Sequence, residues 1–257
     1  MLATLPRAAG GAWFLAALAL APAGGARAAG GTLSDQAVTL NFPSNHWSAG
    51  PDAHLVGVDA SGDPLFQMGL WYRVQGGTRE YAMPVPDSEV YDGGRAYAVW
   101  DDLAGTGFKV AASTWLIDGE GPSGCVVTTV SVQNNANVAR DFAMFFYLDA
   151  DLAATASGDS ATLVNERFIE AFDGTSRLAY RFRGGRYQVA AHPALRNLLN
   201  DTLVTDLDFS GLPAGPGDLA IAFEAGPTPI PAGGSRSFGP VSACFNPPRR
   251  HVKGDMD

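Results

Sequence analysis

Positive charge is scarce in this sequence. Its 257 residues include 17 Lys and Arg against 26 Asp and Glu, which gives a formal net charge of −9. Nucleic acids and anionic membrane surfaces both attract basic protein surfaces. The composition therefore disfavours both as partners, and its acidity mainly favours solubility.

Long apolar runs are also scarce, because no run outside the N-terminal region approaches the roughly 18 residues of a membrane-spanning helix. The run GAWFLAALALAPA follows Arg7 and precedes the triplet ARA at 26–28. This order is typical of a signal peptide, and the run is too short for a permanent span. We expect a signal peptide at 1–28, export to the periplasm or the extracellular space, a domain at 29–245 and a flexible polar tail at 246–257.

Motifs of several enzyme classes are missing. The sequence has no G-x-S-x-G, no P-loop, no G-x-G-x-x-G that opens a βαβ unit, and no C-x-x-C. Its four histidines show no metal-ligand spacing such as H-E-x-x-H. These absences disfavour common hydrolases, nucleotide-binding proteins and redox enzymes.

Cysteine occurs only twice, at Cys125 and Cys244. Export permits a disulfide, and an even count is compatible with one bridge. Such a bridge would join the last strand to the middle of a sheet. Two separate buried thiols, acting as small apolar side chains, are the open alternative.

Short β-type runs separated by turn residues fill most of the chain, which contains 31 Gly and 17 Pro. This spacing predicts an all-β fold, an antiparallel two-sheet β-sandwich of ordinary or enlarged, supersandwich-like size. Leu195, Leu198 and Leu199 follow Pro193 at helical spacing and predict one short helix at 193–200. The predicted strands are 36–42, 53–60, 64–74, 78–83, 96–101, 107–117, 125–133, 140–149, 161–172, 176–182, 186–190, 202–209, 218–224 and 235–245.

The run at 140–149 is apolar on both of its faces. Phe142, Met144 and Phe146 share one face, while Phe145 and Tyr147 share the other. A strand of this kind is expected at the centre of a sheet that is covered on both sides.

Three tryptophans fall on the more mixed faces of their strands, together with hydrogen-bonding side chains. Aromatic rings beside polar groups on one concave face would suit a sugar ring. A second packing layer under the helix or a loop is the open alternative. The candidate ligand-binding residues are Trp71, Trp100, Trp115, Gln67, Arg73 and Lys109.

An acidic cluster follows the doubly apolar strand. Asp149 and Asp151 lie on the same side of an extended chain, and Asp159 comes after a small loop. Several oxygens at one point could bind Ca²⁺, and the sequence indicates no other cofactor. Aspartates that bond local backbone at a strand end are the alternative.

Paired carboxylates also serve glycosidases. Glu166 and Glu170 are expected on the same side of one strand, about 13 Å apart along its axis. Each would therefore need a partner from another strand, and Asp149 is a further candidate carboxylate.

The hairpin SVQNNANVARDFAMFFYLDADL and the late stretch GLPAGPGDLAIAFEAGPTPIPAGGSRSF resemble those of uncharacterised secreted bacterial β-sandwich proteins, over about residues 120–246. The stretch LDADLAAT is similar to the supersandwich type found among sugar-active proteins. The resemblance implies a surface or extracellular location and transfers no catalytic residue.

We therefore expect an exported non-catalytic β-sandwich protein that binds an extracellular ligand such as a glycan. One alternative is a carbohydrate-active enzyme, a hydrolase, lyase or epimerase, that uses Glu166 or Asp149. The other is a structural component of the cell envelope.

Overall fold

The computed structural model describes residues 30–42, 47, 53–58, 62–119 and 121–247. The expected signal peptide and the tail beyond residue 247 lie outside these ranges. The described chain forms seventeen strands in three antiparallel sheets and one α-helix, α1 (Ala194–Asn200). The expectation of an all-β sandwich with one short helix is confirmed.

Seventeen strands follow one another along the described chain. They are β1 (Gly31–Asp35), β2 (Val38–Phe42), β3 (His54–Val56), β4 (Gln67–Val74), β5 (Tyr81–Ala82), β6 (Ser88–Asp92), β7 (Arg95–Trp100), β8 (Phe108–Asp118), β9 (Gly124–Asn134), β10 (Arg140–Asp149), β11 (Asp159–Asn165), β12 (Phe168–Asp173), β13 (Ser176–Arg181), β14 (Arg186–Ala191), β15 (Ala214–Gly217), β16 (Leu219–Ile230) and β17 (Ser235–Phe245).

Two large sheets form the sandwich. The nine-stranded sheet has the order β15-β11-β12-β13-β17-β9-β8-β7-β6, and the five-stranded sheet has the order β14-β16-β10-β4-β5. A third sheet contains β1, β2 and β3. Apolar side chains from both large sheets form one continuous buried cluster.

Strand β10 lies at the centre of the five-stranded sheet, between β16 and β4. Its side chains Phe142, Met144 and Phe146 belong to the main core. Phe145 and Tyr147 point the other way and pack in a second cluster with α1. The prediction of a central strand that is covered on both faces is confirmed, and each such buried aromatic contributes about 1.5–3 kcal/mol.

The structure differs from the predicted strands in three ways. Strands β1, β6 and β15 were not predicted, and the single run predicted at 161–172 is two strands, β11 and β12. The turn between them contains Glu166 and Arg167, and the Asn165 side chain accepts a hydrogen bond from the Arg167 amide at 2.9 Å. This turn contains no Gly or Pro, which is why the sequence suggested one strand.

The run predicted as a strand at 202–209 is a loop. Side chains of the five-stranded sheet region bond the middle of this loop, and only its end bonds a strand, where the Phe209 amide donates to the Tyr187 carbonyl of β14 at 2.9 Å. The Thr205 amide donates to Glu80 at 3.0 Å, and the Leu207 amide donates to Glu224 at 2.9 Å. Buried carboxylates therefore satisfy the amides that a sheet ladder would otherwise bond.

The two cysteines are joined in a disulfide. Cys125 of β9 and Cys244 of β17 are directly opposite each other, with their Cα atoms 4.0 Å apart. Beyond this bridge, Asn246 donates to the Val58 carbonyl and accepts from the Arg177 amide. The first residue of the expected tail is therefore anchored to the domain.

Candidate functional site

The six candidate ligand-binding residues occupy three separate places. Gln67, Trp71 and Arg73 share one face of β4, as the strand pattern predicts. That face is covered by α1, and Trp71 is fully buried. Its indole nitrogen donates to Asn200, the last residue of α1, at 2.9 Å.

Trp100 lies in the core between the sheets. It is 2% exposed, donates to the Pro84 carbonyl at 2.8 Å and packs edge-on against Trp47. Trp115 and Lys109 alternate with the buried residues of β8 and lie on the outer face of the nine-stranded sheet. The shared concave face expected from the sequence is therefore not formed, because strands from different sheets direct these residues in three directions. Binding of a ligand by any of the six stays a prediction.

Arg73 is the centre of a buried ion-pair network. Its guanidinium lies 2.5 Å from Glu80, 2.5 Å from Asp206 and 3.3 Å from Glu224. It also donates to the Thr205 carbonyl at 2.9 Å. Burial raises the pKa of Glu224 to about 7, although Arg73 and the Leu207 amide oppose the increase. These contacts attach the loop 201–210 to the sheet, so Arg73 has a structural role.

One end of the five-stranded sheet collects acidic side chains. Strand β10 ends at Asp149, opposite Ala220 near the start of β16, and β14 ends at Ala191, opposite Leu219. Continuing the β10 register by two residues would place Asp151 opposite Asp218. The sheet register thus brings these aspartates together.

Asp149, Asp151 and Asp218 each contribute one carboxylate oxygen to a group in which all three oxygens lie within 4.8 Å of one another. We call this group the corner cluster. Asp149 is fully buried, while Asp151 and Asp218 are half-buried. The Oδ2 atom of Asp149 lies 2.7 Å from Nδ1 of His192, outside hydrogen-bond geometry, and the Tyr147 hydroxyl lies 2.9 Å from the same nitrogen.

Burial and mutual repulsion dominate the electrostatics of the corner cluster. Burial raises the pKa of Asp149 to about 8, and the neighbouring charges of Asp218 and Asp151 add to the increase. The pKa values of Asp151 and Asp218 are also raised, chiefly by burial. Burial likewise raises the pKa of Tyr147. A site of this kind holds either a proton or a cation.

Asp159 lies close by, at the start of β11 and opposite Gly217. Burial, together with the charges of Asp151 and Asp173, raises its pKa to about 8. Its carboxylate borders a cavity of about 10 Å³, which is roughly the volume that one water needs. Of the predicted metal ligands Asp149, Asp151 and Asp159, the structure groups the first two with Asp218 instead of Asp159.

Sequence reasoning missed Asp218. The signal available was its position immediately before the apolar run of β16, which mirrors Asp151 just after β10. Asp151 and Asp218 come close together only because β10 and β16 are paired in the sheet.

Glu166 and Glu170 do not share one strand, because the β11–β12 turn separates them. Glu166 is exposed in the turn and lies 3.6 Å from Arg167. Glu170 lies in β12, 3.4 Å from Arg177. The geometry predicted for this pair is therefore wrong.

The outer face of the nine-stranded sheet carries an aromatic pair. Tyr97 of β7 is opposite Ser113 of β8, and Arg95 is opposite Trp115, so the two rings are diagonal neighbours on adjacent strands. Both are half-buried. Arg95 is exposed, and its guanidinium donates to the Tyr97 hydroxyl at 3.5 Å.

Two cavities in the sandwich interior have volumes of about 20 and 10 Å³. Neither can hold a sugar ring. Among the described residues, every helix falls short of the length and apolar character needed to cross a bilayer.

The sequence matches no family model and no curated protein. Among solved structures, the chain is similar to a bacterial glucoamylase complexed with acarbose, with a TM-score of 0.54, 8% identity and coverage of 88% of this chain. This chain corresponds to only 32% of the glucoamylase.

It is also similar to the Slr1438 protein from Synechocystis sp. PCC 6803, with a TM-score of 0.52, 10% identity and coverage of 86% and 96% of the two chains. A galactose mutarotase-like protein from Lactobacillus casei ATCC 334 has a TM-score of 0.43 at 9% identity, covering 84% and 99%. At these identities the likeness to solved structures shows the fold alone.

Proposed function

We propose that this chain is an exported, non-catalytic β-sandwich protein that binds a glycan through the outer face of its nine-stranded sheet. The observation that carries the proposal is the pairing of Trp115 and Tyr97 as diagonal neighbours on that face. Export is supported by the signal-like N-terminal sequence and by the Cys125–Cys244 disulfide, which suits an oxidising compartment.

The pair has the chemistry that a sugar ring needs. A pyranose offers an apolar C–H face to an aromatic ring and hydroxyls around its rim. Arg95 supplies hydrogen-bond donors beside the rings, and Ser113 and Thr129 are opposite each other on the neighbouring strands. Diagonal neighbours on adjacent strands are about 7–8 Å apart, which places the two side chains within reach of one ligand.

The shape of the site favours a chain over a single sugar. An aromatic platform on a sheet contacts consecutive units of a polymer along its length, whereas a small sugar is normally enclosed in a pocket. Both residues are half-buried, so little side-chain freedom is lost on binding. We therefore expect a polysaccharide or long oligosaccharide ligand.

The experiment is a binding screen of the purified chain against immobilised neutral and acidic polysaccharides, followed by calorimetric titration of each hit. Trp115→Ala and Tyr97→Ala should each weaken binding about tenfold or more, the equivalent of about 1.4 kcal/mol. Tyr81→Ala is the matched control, because Tyr81 is a partly exposed aromatic on β5 of the other sheet. The proposal fails if the wild-type chain binds nothing in the panel, or if Trp115→Ala binds as wild type does.

A further inference from the structure

We propose that the corner cluster binds a hard divalent cation, such as Ca²⁺, through the carboxylates of Asp149, Asp151 and Asp218. This site lies at the end of the five-stranded sheet and is independent of the proposed glycan-binding face. Its test uses metal alone, so its outcome does not depend on whether a glycan binds.

The spacing fits a single central ion. Calcium–oxygen distances are about 2.3–2.6 Å, so two ligands of one ion lie at most about 5 Å apart. The three aspartates offer oxygens within 4.8 Å of one another. One ion can therefore contact all three carboxylates at once.

Burial of Asp149 supplies a second observation. Its side chain is fully buried, and among the described residues its Oδ1 atom has no hydrogen-bond partner. A buried carboxylate that accepts no hydrogen bond is costly, and a directly bound cation removes that cost. One oxygen of Asp149 lies within 4.8 Å of an oxygen of Asp151 and of an oxygen of Asp218, so this carboxylate borders the proposed site.

The local charges are mostly negative. The charge of Asp63 raises the pKa of Asp151, and the charge of Asp159 raises the pKa of Asp149. Two further carboxylates therefore lie near the corner cluster. Two groups oppose them: Arg196, whose charge lowers the pKa of Asp149, and His192, which is positive only when protonated. Once these carboxylates are ionised, the corner carries excess negative charge, which favours a cation.

The positions of the ligands are fixed by backbone contacts. The carbonyl of Asp218 accepts the His192 amide at 3.0 Å, and the carbonyl of Asp149 accepts the Phe66 amide at 3.1 Å. Asp151 begins a tight turn in which its carbonyl accepts the Ala154 amide at 3.0 Å. The cluster is thus organised before an ion arrives.

The ligand chemistry selects the class of ion. All three proposed ligands are carboxylate oxygens, which suit Ca²⁺, Mg²⁺ or Mn²⁺ better than softer metals. The half-buried Asp151 and Asp218 leave one side open to solvent, so water can complete the coordination. Calcium sites of extracellular modules bind with dissociation constants of about 0.1–1 mM, and we expect an affinity in that range.

The experiment compares wild type, Asp151→Asn, Asp218→Asn and the control Asp208→Asn after chelator treatment. Asp208 is an exposed aspartate of the loop 201–210, with no part in the corner cluster. Thermal unfolding and calorimetry are recorded with Ca²⁺, Mg²⁺ and Mn²⁺ separately, up to about 10 mM, which is well above the expected dissociation constant. At least one ion should raise the melting temperature of wild type and of Asp208→Asn, while Asp151→Asn and Asp218→Asn bind it at least tenfold more weakly.

Thermal unfolding in the presence of chelator, without metal, shows whether a variant is misfolded. Removing one of three repelling carboxylates should leave Asp218→Asn at least as heat-stable as wild type when metal is absent. Its lost response to metal then reflects a lost ligand. Wild type that shows neither a thermal shift nor binding heat with any of the three ions would overturn the proposal, as would Asn variants that respond as wild type does.

Discussion

The indole nitrogen of Trp71 donates a 2.9 Å hydrogen bond to the side-chain oxygen of Asn200. It joins the centre of β4 to the end of α1, a helix of seven residues. Isolated helices of this length are unstable in water, so α1 depends on its contacts with the sheet. Trp71 is therefore an anchor for the helix that covers it.

Substitution of Trp71 should reveal this anchoring role. Trp71→Phe keeps most of the buried ring but removes the donor, so we expect unfolding to become easier by about 1–2 kcal/mol. Trp71→Ala should cost about 3–5 kcal/mol because it also leaves a cavity. Urea denaturation measures both, and Asn200→Ala serves as the partner in a double-mutant cycle. Purely additive effects of Trp71→Phe and Asn200→Ala would contradict the proposed contact.

Loss of Arg73 should be severe. Arg73→Met leaves Glu80 and Glu224 buried without their cation, and removing one partner of a buried ion pair costs about 3–5 kcal/mol. The added changes Glu80→Gln and Glu224→Gln should restore part of the loss. Equilibrium denaturation measures the stability, and limited proteolysis in the loop 201–210 reports its release. Unchanged stability and cleavage in Arg73→Met would be evidence against the network.

The stability of the chain should depend on pH through Glu224. Its folded-state pKa is raised from the ordinary 4.5 to about 7, so between these values the folded chain holds a proton that the unfolded chain releases. The free energy of unfolding therefore contains a Glu224 contribution that is fully present below pH 4.5 and is lost as pH rises to about 7.

Glu224→Gln should remove this contribution. The difference in stability between wild type and variant should then change with pH by at most about 1.4 kcal/mol per unit inside that window, and level off above it. Denaturation at pH 5, 6, 7 and 8 measures the difference. Other buried carboxylates titrate in both proteins and cancel. Parallel stability curves would show that Glu224 keeps an ordinary pKa.

The disulfide should stabilise the fold. Cys125 and Cys244 are 119 residues apart in the chain, so their bond restricts the unfolded state strongly. Replacing both with Ser should cost about 2–4 kcal/mol, the typical value for a native disulfide. Denaturation of the double variant, and of wild type under reducing conditions, should give the same loss. A thiol titration that detects two free cysteines in the untreated native chain would contradict the bond.

The sequence predicted those parts of the fold that depend on local pattern. Phe142, Phe145 and Phe146 placed β10 at the centre of a sheet, because alternation alone determines which faces of a strand are apolar. The spacing of Leu195 and Leu199 located α1 for the same reason. The face shared by Gln67, Trp71 and Arg73 also follows from alternation within one strand.

Relations between strands could not be predicted in this way. Trp100 and Lys109 lie on opposite faces because of the register in which β7 pairs with β8, and no local pattern fixes that register. Asp218 joins Asp151 only because β16 pairs with β10. The loop 202–209 resembled a strand because its apolar residues alternate, but the buried carboxylates of Glu80 and Glu224 bond its amides.

Strand β15 affects whether two molecules of this protein can associate through the edges of their sheets. It is the outermost strand of the nine-stranded sheet in the described part of the chain, and it consists of only Ala214, Gly215, Pro216 and Gly217. A proline has no amide hydrogen to donate, and a strand of four residues can form few backbone hydrogen bonds with an added strand. This margin of the sheet therefore resists the addition of a strand from a second molecule, which protects a wide β protein against edge-to-edge aggregation.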